Sequence, residues 1–290
     1  MREIRLRALA KINLALDVLG KREDGYHEVR MVMQTLNIFD KLNVRVTREP
    51  GIRIVTNLSY LPVNENNLVY KAARMMMEEF EILEGLSIDL YKYIPVAAGM
   101  AGGSSDAAAV IFAMNKLFRL GLTLDKMMDR GVKIGADVPY CLMRGTALAE
   151  GIGERLTRLP ACPPCFVLVA KPPVNVSTKF VYGNLKADEL TYHPDVDGFI
   201  EAMAAGDFYG MADLMGNVLE TVTVPAYPVI DQLKQFMLEH GAIGAMMSGS
   251  GPTVFGLYTD LTAAKQTFYE LKKSRMAAVV YLSDVYNVTY

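Results

Sequence analysis

The segment Pro95–Phe118, PVAAGMAGGSSDAAAVIFAMNKLF, joins a glycine-rich loop to a helical pattern and follows a strand pattern. Glycines let a backbone approach phosphate oxygens and take positive φ, and the free N–H groups at a helix start attract anions. The pattern therefore predicts a phosphate site, with a plain strand-to-helix turn as the alternative. It matches neither the Walker loop nor the G-x-G-x-x-G fingerprint. The candidate residues are Gly99, Gly102, Gly103, Ser104 and Ser105, with the serines as helix caps or as hydroxyl ligands of a phosphate or its metal ion.

Lys11 interrupts an apolar strand pattern near the N-terminus. Strict alternation places it on one face with Asn13, while the opposite face, which includes Ile12 and Leu14, is wholly apolar and is predicted to face the core. A lysine beside an asparagine on the more polar face suits a site that holds phosphate or an acid. A lysine that simply faces solvent fits the local pattern equally well.

Asp137 lies in the sequence Gly-Ala-Asp-Val-Pro, directly after a predicted helix. Because proline disfavours the helical region for the residue before it, Val138 is predicted to be extended. An aspartate on such a rigid turn fits a general base that accepts a hydroxyl proton. An ordinary turn aspartate is the alternative that the neighbouring glycine and proline favour.

Two further stretches fit ligand binding. Tyr26 and His27 form an aromatic pair at the end of the polar loop 20–27, where an incidental histidine is the alternative. Ser248–Gly251 is predicted either to present backbone N–H groups to a ligand or to form a simple hairpin turn.

The composition fits a globular enzyme. The 290 residues carry a net charge of −2, and no run rich in lysine and arginine stands out, which argues against nucleic acid as the main partner. No apolar run reaches the roughly 18–20 residues that span a bilayer. The N-terminal stretch has early arginines but is interrupted by Lys11 and Asn13, so a strand is predicted there rather than a targeting segment. A cytoplasmic location is expected.

Cys162 and Cys165 form a C-x-x-C sequence. A redox motif of this kind opens a helix, whereas residues 166–170 have a strand pattern, and no second cysteine pair offers zinc ligands. Neither redox nor metal function is therefore predicted for this pair.

These residues must be positioned by elements of an α+β fold. The first half is rich in strands, a proline-rich seam lies near Leu159–Pro164, and the second half alternates strands with helices. The predicted strands are Ile4–Leu19, Val29–Ile38, Leu42–Thr47, Ile52–Thr56, Leu86–Tyr91, Thr146–Glu150, Phe166–Ala170, the two arms of Gly244–Tyr258 and one or two strands within Ala277–Tyr290. The predicted helices are Leu68–Leu83, the run after Ser105, Leu124–Ile134, Ser177–Leu185, Val196–Ala204, Tyr209–Val222, Val229–Glu239 and Thr262–Lys273.

Taken together, the motifs resemble the GHMP kinases, the family of galactokinase, homoserine kinase and mevalonate kinase. The resemblance spans the whole chain and rests on Ala10–Leu14 followed by Gly20–His27, on Pro95–Ala108, on Gly135–Pro139 and on Ser248–Pro252. It implies a two-domain α+β GHMP kinase fold. Residues 1–158 would form an N-terminal ATP-binding domain similar to ribosomal protein S5 domain 2, and residues 159–290 a C-terminal ferredoxin-like α/β sandwich.

The combination of Ala10–Leu14 with Gly20–His27 resembles the methylerythritol branch of the family, and Gly135–Pro139 is typical of the same branch. This resemblance implies ATP-dependent phosphorylation of the 2-hydroxyl of a cytidine-diphosphate-linked methylerythritol, in the non-mevalonate route to isoprenoids. By position, Asp137 would take the hydroxyl proton, while Lys11 would keep Asp137 ionised and steady charge on the transferring phosphoryl group. Small molecules, and neither nucleic acid nor membrane, are the implied partners.

The same resemblance implies two sets of binding residues. ATP, accompanied by Mg²⁺, would be bound by Asn67, Lys92, Pro95, Val96, Ala97, Ala98, Gly99, Met100, Ala101, Gly102, Gly103, Ser104 and Ser105, with Ser104 or Ser105 as a candidate metal ligand. The cytidine substrate would be bound by Asn13, Tyr26, His27, Thr178 and Tyr182, with hydrogen bonds from His27 and stacking by the tyrosines.

The chain departs from the family pattern in the phosphate loop. Met100 and Ala101 stand where leucine and glycine are usual, so Ala101 is expected either to keep an ordinary φ or to carry strain. Tyr182 stands where a phenylalanine often stacks on cytosine. The alternatives are a GHMP kinase for another small alcohol such as homoserine, and a binding protein of the same fold without catalysis. The Tyr26–His27 pair argues against a kinase for another small alcohol. The presence of Lys11 and Asp137 argues against this alternative and also against a binding protein without catalysis.

Overall fold

The computed structural model describes residues 2–288. The strands are β1 (Glu3–Lys21), β2 (His27–Thr47), β3 (Ile52–Thr56), β4 (Gly85–Tyr91), β5 (Thr146–Gly151), β6 (Arg155–Arg158), β7 (Phe166–Lys171), β8 (Gly244–Met247), β9 (Val254–Tyr258) and β10 (Val279–Asp284). The helices are α1 (Leu68–Glu79), α2 (Gly102–Leu117), α3 (Leu124–Gly131), α4 (Val138–Met143), α5 (Thr178–Asn184), α6 (Val196–Ala205), α7 (Phe208–Asp213), α8 (Glu220–Ala226), α9 (Val229–Glu239) and α10 (Leu261–Ser274). Within residues 2–288, no helix has the length and apolar character needed to cross a bilayer.

The chain divides into two compact units. The first unit contains the chain up to Ala10, Ile38–Val96 and Ala101–Met143. The second contains Lys11–Asn37, Ala97–Met100 and the chain from Arg144 onward. Strands β1 and β2 therefore contribute residues to both units, and this division does not follow the expected domain boundary after residue 158.

In the first unit, helices cover a short sheet. Strand β4 pairs with β3 in parallel and with the second half of β2 in antiparallel fashion, with Leu42 opposite Leu90. Helix α2 packs against α1, α3 and α4. Its alanines and its larger apolar residues, such as Val110 and Ile111, are buried around the whole helix, which is typical of a helix inside the core of a domain.

In the second unit, the first half of β2 pairs with β5, and β5 pairs with β6. A separate antiparallel sheet has the order β10-β7-β9-β8, with α9 and α10 packed on it. Strand β7 is central and buried, as its continuous apolar run predicts. The predicted α+β class is confirmed.

Three predictions of local structure are wrong. The strands Val29–Ile38 and Leu42–Thr47 are parts of the single strand β2. Val138 is helical and not extended, because Pro139 lies in the first turn of α4, where a missing N–H group leaves no helical hydrogen bond unmade. The single helix Tyr209–Val222 is two helices, α7 and α8, because the backbone between them pairs with β1: Leu16 N–H donates to Gly216 O, and Val218 N–H donates to Leu16 O.

Candidate active site

The phosphate loop ends at the head of α2, in the first unit. The helix begins at Gly102, and its N-cap residue is Ala101, with φ 53° and ψ 30°. The alternative expected from the sequence therefore holds: Ala101 occupies the left-handed region, which strains a residue with a Cβ atom. No side chain among the described residues caps this helix, so its first N–H groups, around the exposed Gly103, are available to an anion.

The two serines of this helix differ in their environment. The helix starts two residues before Ser104, so the prediction that Ser104 or Ser105 caps it is wrong. Ser105 is buried, and its hydroxyl donates to Leu9 O at 2.7 Å, which fixes the first turn of α2 to β1. Ser104 is partly exposed and is the better candidate for a hydroxyl ligand.

A buried charge cluster lies beneath the head of α2. The Lys92 ammonium lies between the carboxylates of Asp40 and Asp106, and the distance to Asp106 is 2.6 Å. Asp40 also accepts the backbone N–H groups of Tyr93 at 2.5 Å and Ile94 at 2.8 Å. A Cβ atom on Gly102 would lie 3.0 Å from the Ile94 side chain and 3.2 Å from Lys92 Nζ, so the cluster and the glycine are closely packed.

The electrostatics of this cluster follow from its burial. Burial raises the pKa of Asp106 well above its usual range, against the opposing effect of Lys92. Burial alone would lower the pKa of Lys92, but Asp106 and Asp40 together raise it, so its charge is kept. Asp40 and Asp106 were not predicted from the sequence. The detectable signal was the carboxylate at position 106, directly before an apolar helical run.

Two of the residues expected to bind ATP, Asn67 and Lys92, already have structural roles. The Asn67 side chain is the N-cap of α1: it accepts the Val69 N–H at 2.9 Å and donates to Pro62 O at 2.7 Å. The Lys92 charge is matched by Asp40 and Asp106 within the protein. Contacts of Asn67 and Lys92 with ATP stay predictions.

The middle of the phosphate loop belongs to the second unit. Gly99 has φ 71°, and a Cβ atom there would lie 2.1 Å from Ser248 O, so only glycine fits. The Ser248 hydroxyl donates to Gly99 O at 2.9 Å. Met100 O accepts the Lys11 N–H at 3.2 Å. The predicted loop and the predicted turn Ser248–Gly251 are therefore in direct contact, within one unit.

Lys11 and Asn13 are buried side by side on β1. Lys11 is 5% exposed and Asn13 is fully buried, which excludes the alternative of a lysine that faces solvent. Lys11 Nζ donates to Asn13 Oδ1 at 2.8 Å, and Asn13 Nδ2 lies 3.1 Å from Met31 Sδ. Because burial of a charge is costly, a cation held in this strand indicates a functional role.

Most of the predicted cytidine-binding residues form contacts within the second unit. The rings of His27 and Tyr182 lie 5.2 Å apart, tilted by 41°. Burial, and then the charge of Lys21, lower the pKa of His27, so the imidazole is neutral at pH 7. Thr178 Oγ1 lies 2.9 Å from Ser250 Oγ, which connects α5 to the turn. Tyr26 is largely exposed.

Asp137 belongs to the first unit and directly precedes α4, in a partly exposed position. Its carbonyl oxygen accepts the Cys141 N–H at 3.0 Å, which fixes the backbone of the turn. The pairing of Asp137 with Lys11, which lies in the second unit, stays a prediction.

The C-x-x-C pair has the properties of core residues. Cys162 and Cys165 are both buried free thiols. A hydrogen bond with Cys162, and then burial, raise the pKa of the Cys165 thiol, whereas reactive thiols need a lowered pKa. Among residues 2–288, no group of three or more histidine, cysteine, aspartate or glutamate side chains is arranged to hold a metal ion.

Comparisons with known proteins show the family to which the chain is similar. Residues 67–145 match the family model for the N-terminal domain of GHMP kinases, and residues 199–277 match that for the C-terminal domain. The chain is 57% identical, over 286 residues and 99% of both chains, to the 4-diphosphocytidyl-2-C-methyl-D-erythritol kinase of Lachnospira eligens.

Solved structures give the same pattern. The crystal structure of a 4-(cytidine 5'-diphospho)-2C-methyl-D-erythritol kinase has a TM-score of 0.84 and 31% identity, with 98% of this chain and 100% of that chain covered. The homoserine kinase of Cytophaga hutchinsonii has a TM-score of 0.78 and 22% identity, with 98% and 95% covered, so this likeness concerns the fold.

Proposed function

The chain belongs to the GHMP kinase family, and we propose that it transfers the γ-phosphoryl group of ATP to the 2-hydroxyl of 4-diphosphocytidyl-2-C-methyl-D-erythritol. The products are the 2-phosphate and ADP, in an early step of the non-mevalonate route to isoprenoids. The observation that carries this proposal is the 57% identity to a kinase of that name along 99% of both chains. The buried Lys11 and the His27–Tyr182 pair supply fitting chemistry.

The two-domain α+β fold implied by the resemblance is confirmed by the two family models. We assign residues 1–158 to the N-terminal ATP-binding domain and residues 159–290 to the C-terminal domain. The matched ranges 67–145 and 199–277 lie on opposite sides of this boundary, which supports the assignment.

The N–H groups at the head of α2 bind the triphosphate. Gly102, Gly103 and Ser104 provide N–H groups that the helix itself does not use, at the positive end of the helix dipole. Mg²⁺ in such enzymes is bound largely by the substrate phosphates and needs only one or two protein oxygens, so the partly exposed Ser104 hydroxyl fits it. When bound, the ion neutralises charge on the β- and γ-phosphates.

Lys11 steadies the negative charge on the transferring phosphoryl group, since its ammonium is held by Asn13 and is kept from bulk water. Asp137 accepts the proton of the attacking hydroxyl as the new O–P bond forms. Alignment and charge stabilisation supply most of the rate, because phosphoryl transfer needs little covalent help from the protein.

His27 and Tyr182 recognise the cytosine ring. The neutral imidazole has one donor and one acceptor nitrogen, which suits the mixed donor and acceptor edge of a base. Tyr182 offers its face for stacking, in place of the usual phenylalanine, and Thr178 and Asn13 line the rest of the substrate site.

The proposal is tested by measuring ATP consumption with 4-diphosphocytidyl-2-C-methyl-D-erythritol, homoserine and mevalonate in parallel. We expect turnover with the first substrate alone. Turnover with homoserine and none with the cytidine compound would overturn the assignment in favour of another GHMP kinase, and no turnover with any of them would favour a binding protein.

The role of Asp137 is tested with Asp137→Asn. This variant should lose turnover by about three orders of magnitude or more, because the hydroxyl proton has no acceptor, yet it should bind ATP normally in calorimetry. Turnover close to that of the wild type would remove Asp137 from the mechanism.

A further inference from the structure

The turn Ser248–Gly251, called here the second glycine turn, bonds to one predicted site element of its own unit and lies next to another. Ser248 donates to Gly99 O of the phosphate loop. A Cβ atom on Gly249 would lie 3.4 Å from Gly99 O and 3.5 Å from Asn13 Oδ1. The position of this turn therefore determines where Gly99 and Asn13 can lie.

Asn217 holds the second glycine turn in place. Its Nδ2 donates to Met247 O at 2.9 Å and to Gly249 O at 2.8 Å, and its Oδ1 accepts the Leu219 N–H at 3.0 Å. The side chain is 6% exposed, and both amide protons have acceptors. Asn217 thus fixes two carbonyl groups on either side of Ser248.

The segment that carries Asn217 is also joined to β1. Leu16 N–H donates to Gly216 O at 2.8 Å, and Val218 N–H donates to Leu16 O at 3.1 Å. Leu16 follows Asn13 by three residues and Lys11 by five on the same strand. Asn217 therefore lies between the strand that carries Lys11 and the turn that touches Asn13.

These contacts also explain why the backbone is not helical between α7 and α8. The backbone groups of Gly216 and Val218 bond to β1, and the Glu220 side chain accepts the Met247 N–H at 2.7 Å. A continuous helix through this segment would lose the two backbone bonds to β1, because those backbone groups would form helical hydrogen bonds instead.

We propose that Asn217 is a positioning residue for phosphoryl transfer, which sets the second glycine turn against Asn13 and Gly99 so that Lys11 meets the transferring group correctly. This inference rests on the proposed kinase activity. Asn217 touches no reacting atom, so its effect must pass through the turn. Displacement of aligned groups by about 1 Å costs roughly a hundredfold in rate, which gives the scale to expect.

The test compares Asn217→Asp with Asn115→Asp. The first substitution keeps the shape of the side chain but places an oxygen where Nδ2 met two carbonyl oxygens, so the turn is repelled. Asn115 is a matched control: it is 8% exposed, donates to Leu122 O at 2.9 Å and accepts the Leu122 N–H at 3.0 Å, near the far end of α2 from the phosphate loop. Both substitutions bury a carboxylate at a backbone-bonded site.

We expect both variants to lose thermal stability, and Asn217→Asp alone to lower kcat by about ten- to a hundredfold, with the KM for the cytidine substrate changed less than threefold. Kinetics are measured well below each variant's Tm, with the folded fraction followed by circular dichroism. Asn217→Ser, which buries no charge, repeats the test if the aspartate variant does not fold.

Two results would overturn the inference: wild-type kcat in a folded Asn217 variant, or failure of both Asn217 variants to fold, which would indicate a purely structural role. An inactive wild-type protein would instead overturn the proposed function. The two failures are therefore distinguishable.

Discussion

At the scale of single residues, the polar side chains that the core tolerates indicate where the chemistry lies. Lys11 and Asn13 lie within a stretch of β1 that is buried and otherwise apolar from Ala8 to Leu16. Burying an ammonium group costs several kcal/mol unless it is well paired, so a core position for a surface-type residue needs a reason. Under the proposed function, that reason is the binding of an anionic phosphoryl group.

His27 gives a prediction that depends on pH. The pKa of His27 is lowered from the usual histidine value of about 6.5. The imidazole is therefore neutral at every pH above that value, and it takes up a proton only at a lower pH. Protonation removes the acceptor nitrogen and places a charge in a desolvated position. The KM for the cytidine substrate should therefore be constant above pH 7 and rise below about pH 6, while the KM for ATP stays flat, as measured in steady-state kinetics.

The control for this prediction is His27→Asn, which keeps a donor and an acceptor but does not titrate. Its KM for the cytidine substrate should be higher than that of the wild type and independent of pH between about 5.5 and 8. A wild-type KM that stays constant down to pH 5, or a variant with the wild-type profile, would contradict the role of His27.

At the scale of elements, the charge cluster of Asp40, Lys92 and Asp106 fixes the head of α2. Asp40 is on β2, Lys92 follows β4, and Asp106 is in α2, so the cluster joins three elements of the first unit. A phosphate loop that is already held in place binds its ligand without an ordering cost. Under the proposed function, the cluster would therefore link the packing of the core to nucleotide binding.

The two carboxylates of this cluster should differ in their contribution to stability. Asp40 uses both oxygens, one on two backbone N–H groups and one on Lys92, whereas Asp106 Oδ1 has no hydrogen-bond partner among residues 2–288. Asp40→Asn should therefore reduce the free energy of unfolding by about 3 kcal/mol or more, because an amide cannot replace both sets of contacts.

Asp106→Asn is the matched comparison. The asparagine keeps an oxygen for Lys92 and removes the repulsion between the two carboxylates. Its NH₂ group takes the place of Asp106 Oδ1, so no hydrogen bond is lost. The free energy of unfolding should therefore fall by less than about 1 kcal/mol. Urea unfolding at pH 7 followed by circular dichroism measures both values. Equal destabilisation by the two substitutions would show that Asp106 is bound as tightly as Asp40.

At the scale of the whole molecule, the two units carry different parts of the proposed chemistry. The cytidine-binding candidates Asn13, Tyr26, His27, Thr178 and Tyr182 all belong to the second unit, together with Lys11. Asp137 and the head of α2 belong to the first. Recognition of the cytosine ring is therefore expected to be independent of Asp137, the proposed general base.

This division predicts how a substrate fragment acts on stability. Cytidine diphosphate at a hundredfold excess over its Kd should stabilise the protein by about 2.7 kcal/mol and raise the Tm by roughly 5 °C. Asp137→Asn should show the same shift in differential scanning fluorimetry, whereas Tyr182→Ala should show a smaller one. Loss of the shift in Asp137→Asn would contradict the division of roles.

Patterns of short range were sufficient for much of the fold. The buried run of β7 and the apolar face of α1 follow from periodicity, and the phosphate loop follows from glycine spacing, because these properties depend on the residues themselves. One of the errors occurred where distant backbone decided local structure. The helix predicted over Tyr209–Val222 is interrupted because Gly216 and Val218 bond to Leu16, some 200 positions away in the chain.

For the site, the sequence by itself was sufficient to propose candidate residues: the lysine in β1, the glycine loop, the aromatic pair and the turn at 248–251 are all visible as motifs. Only the tertiary structure decided how they are held. The burial of Lys11, the position of Lys92 between two carboxylates and the contacts of Asn217 depend on groups that are far apart in the chain. The physical reason is that desolvation and hydrogen-bond partnership are properties of a packed environment, which no local pattern specifies.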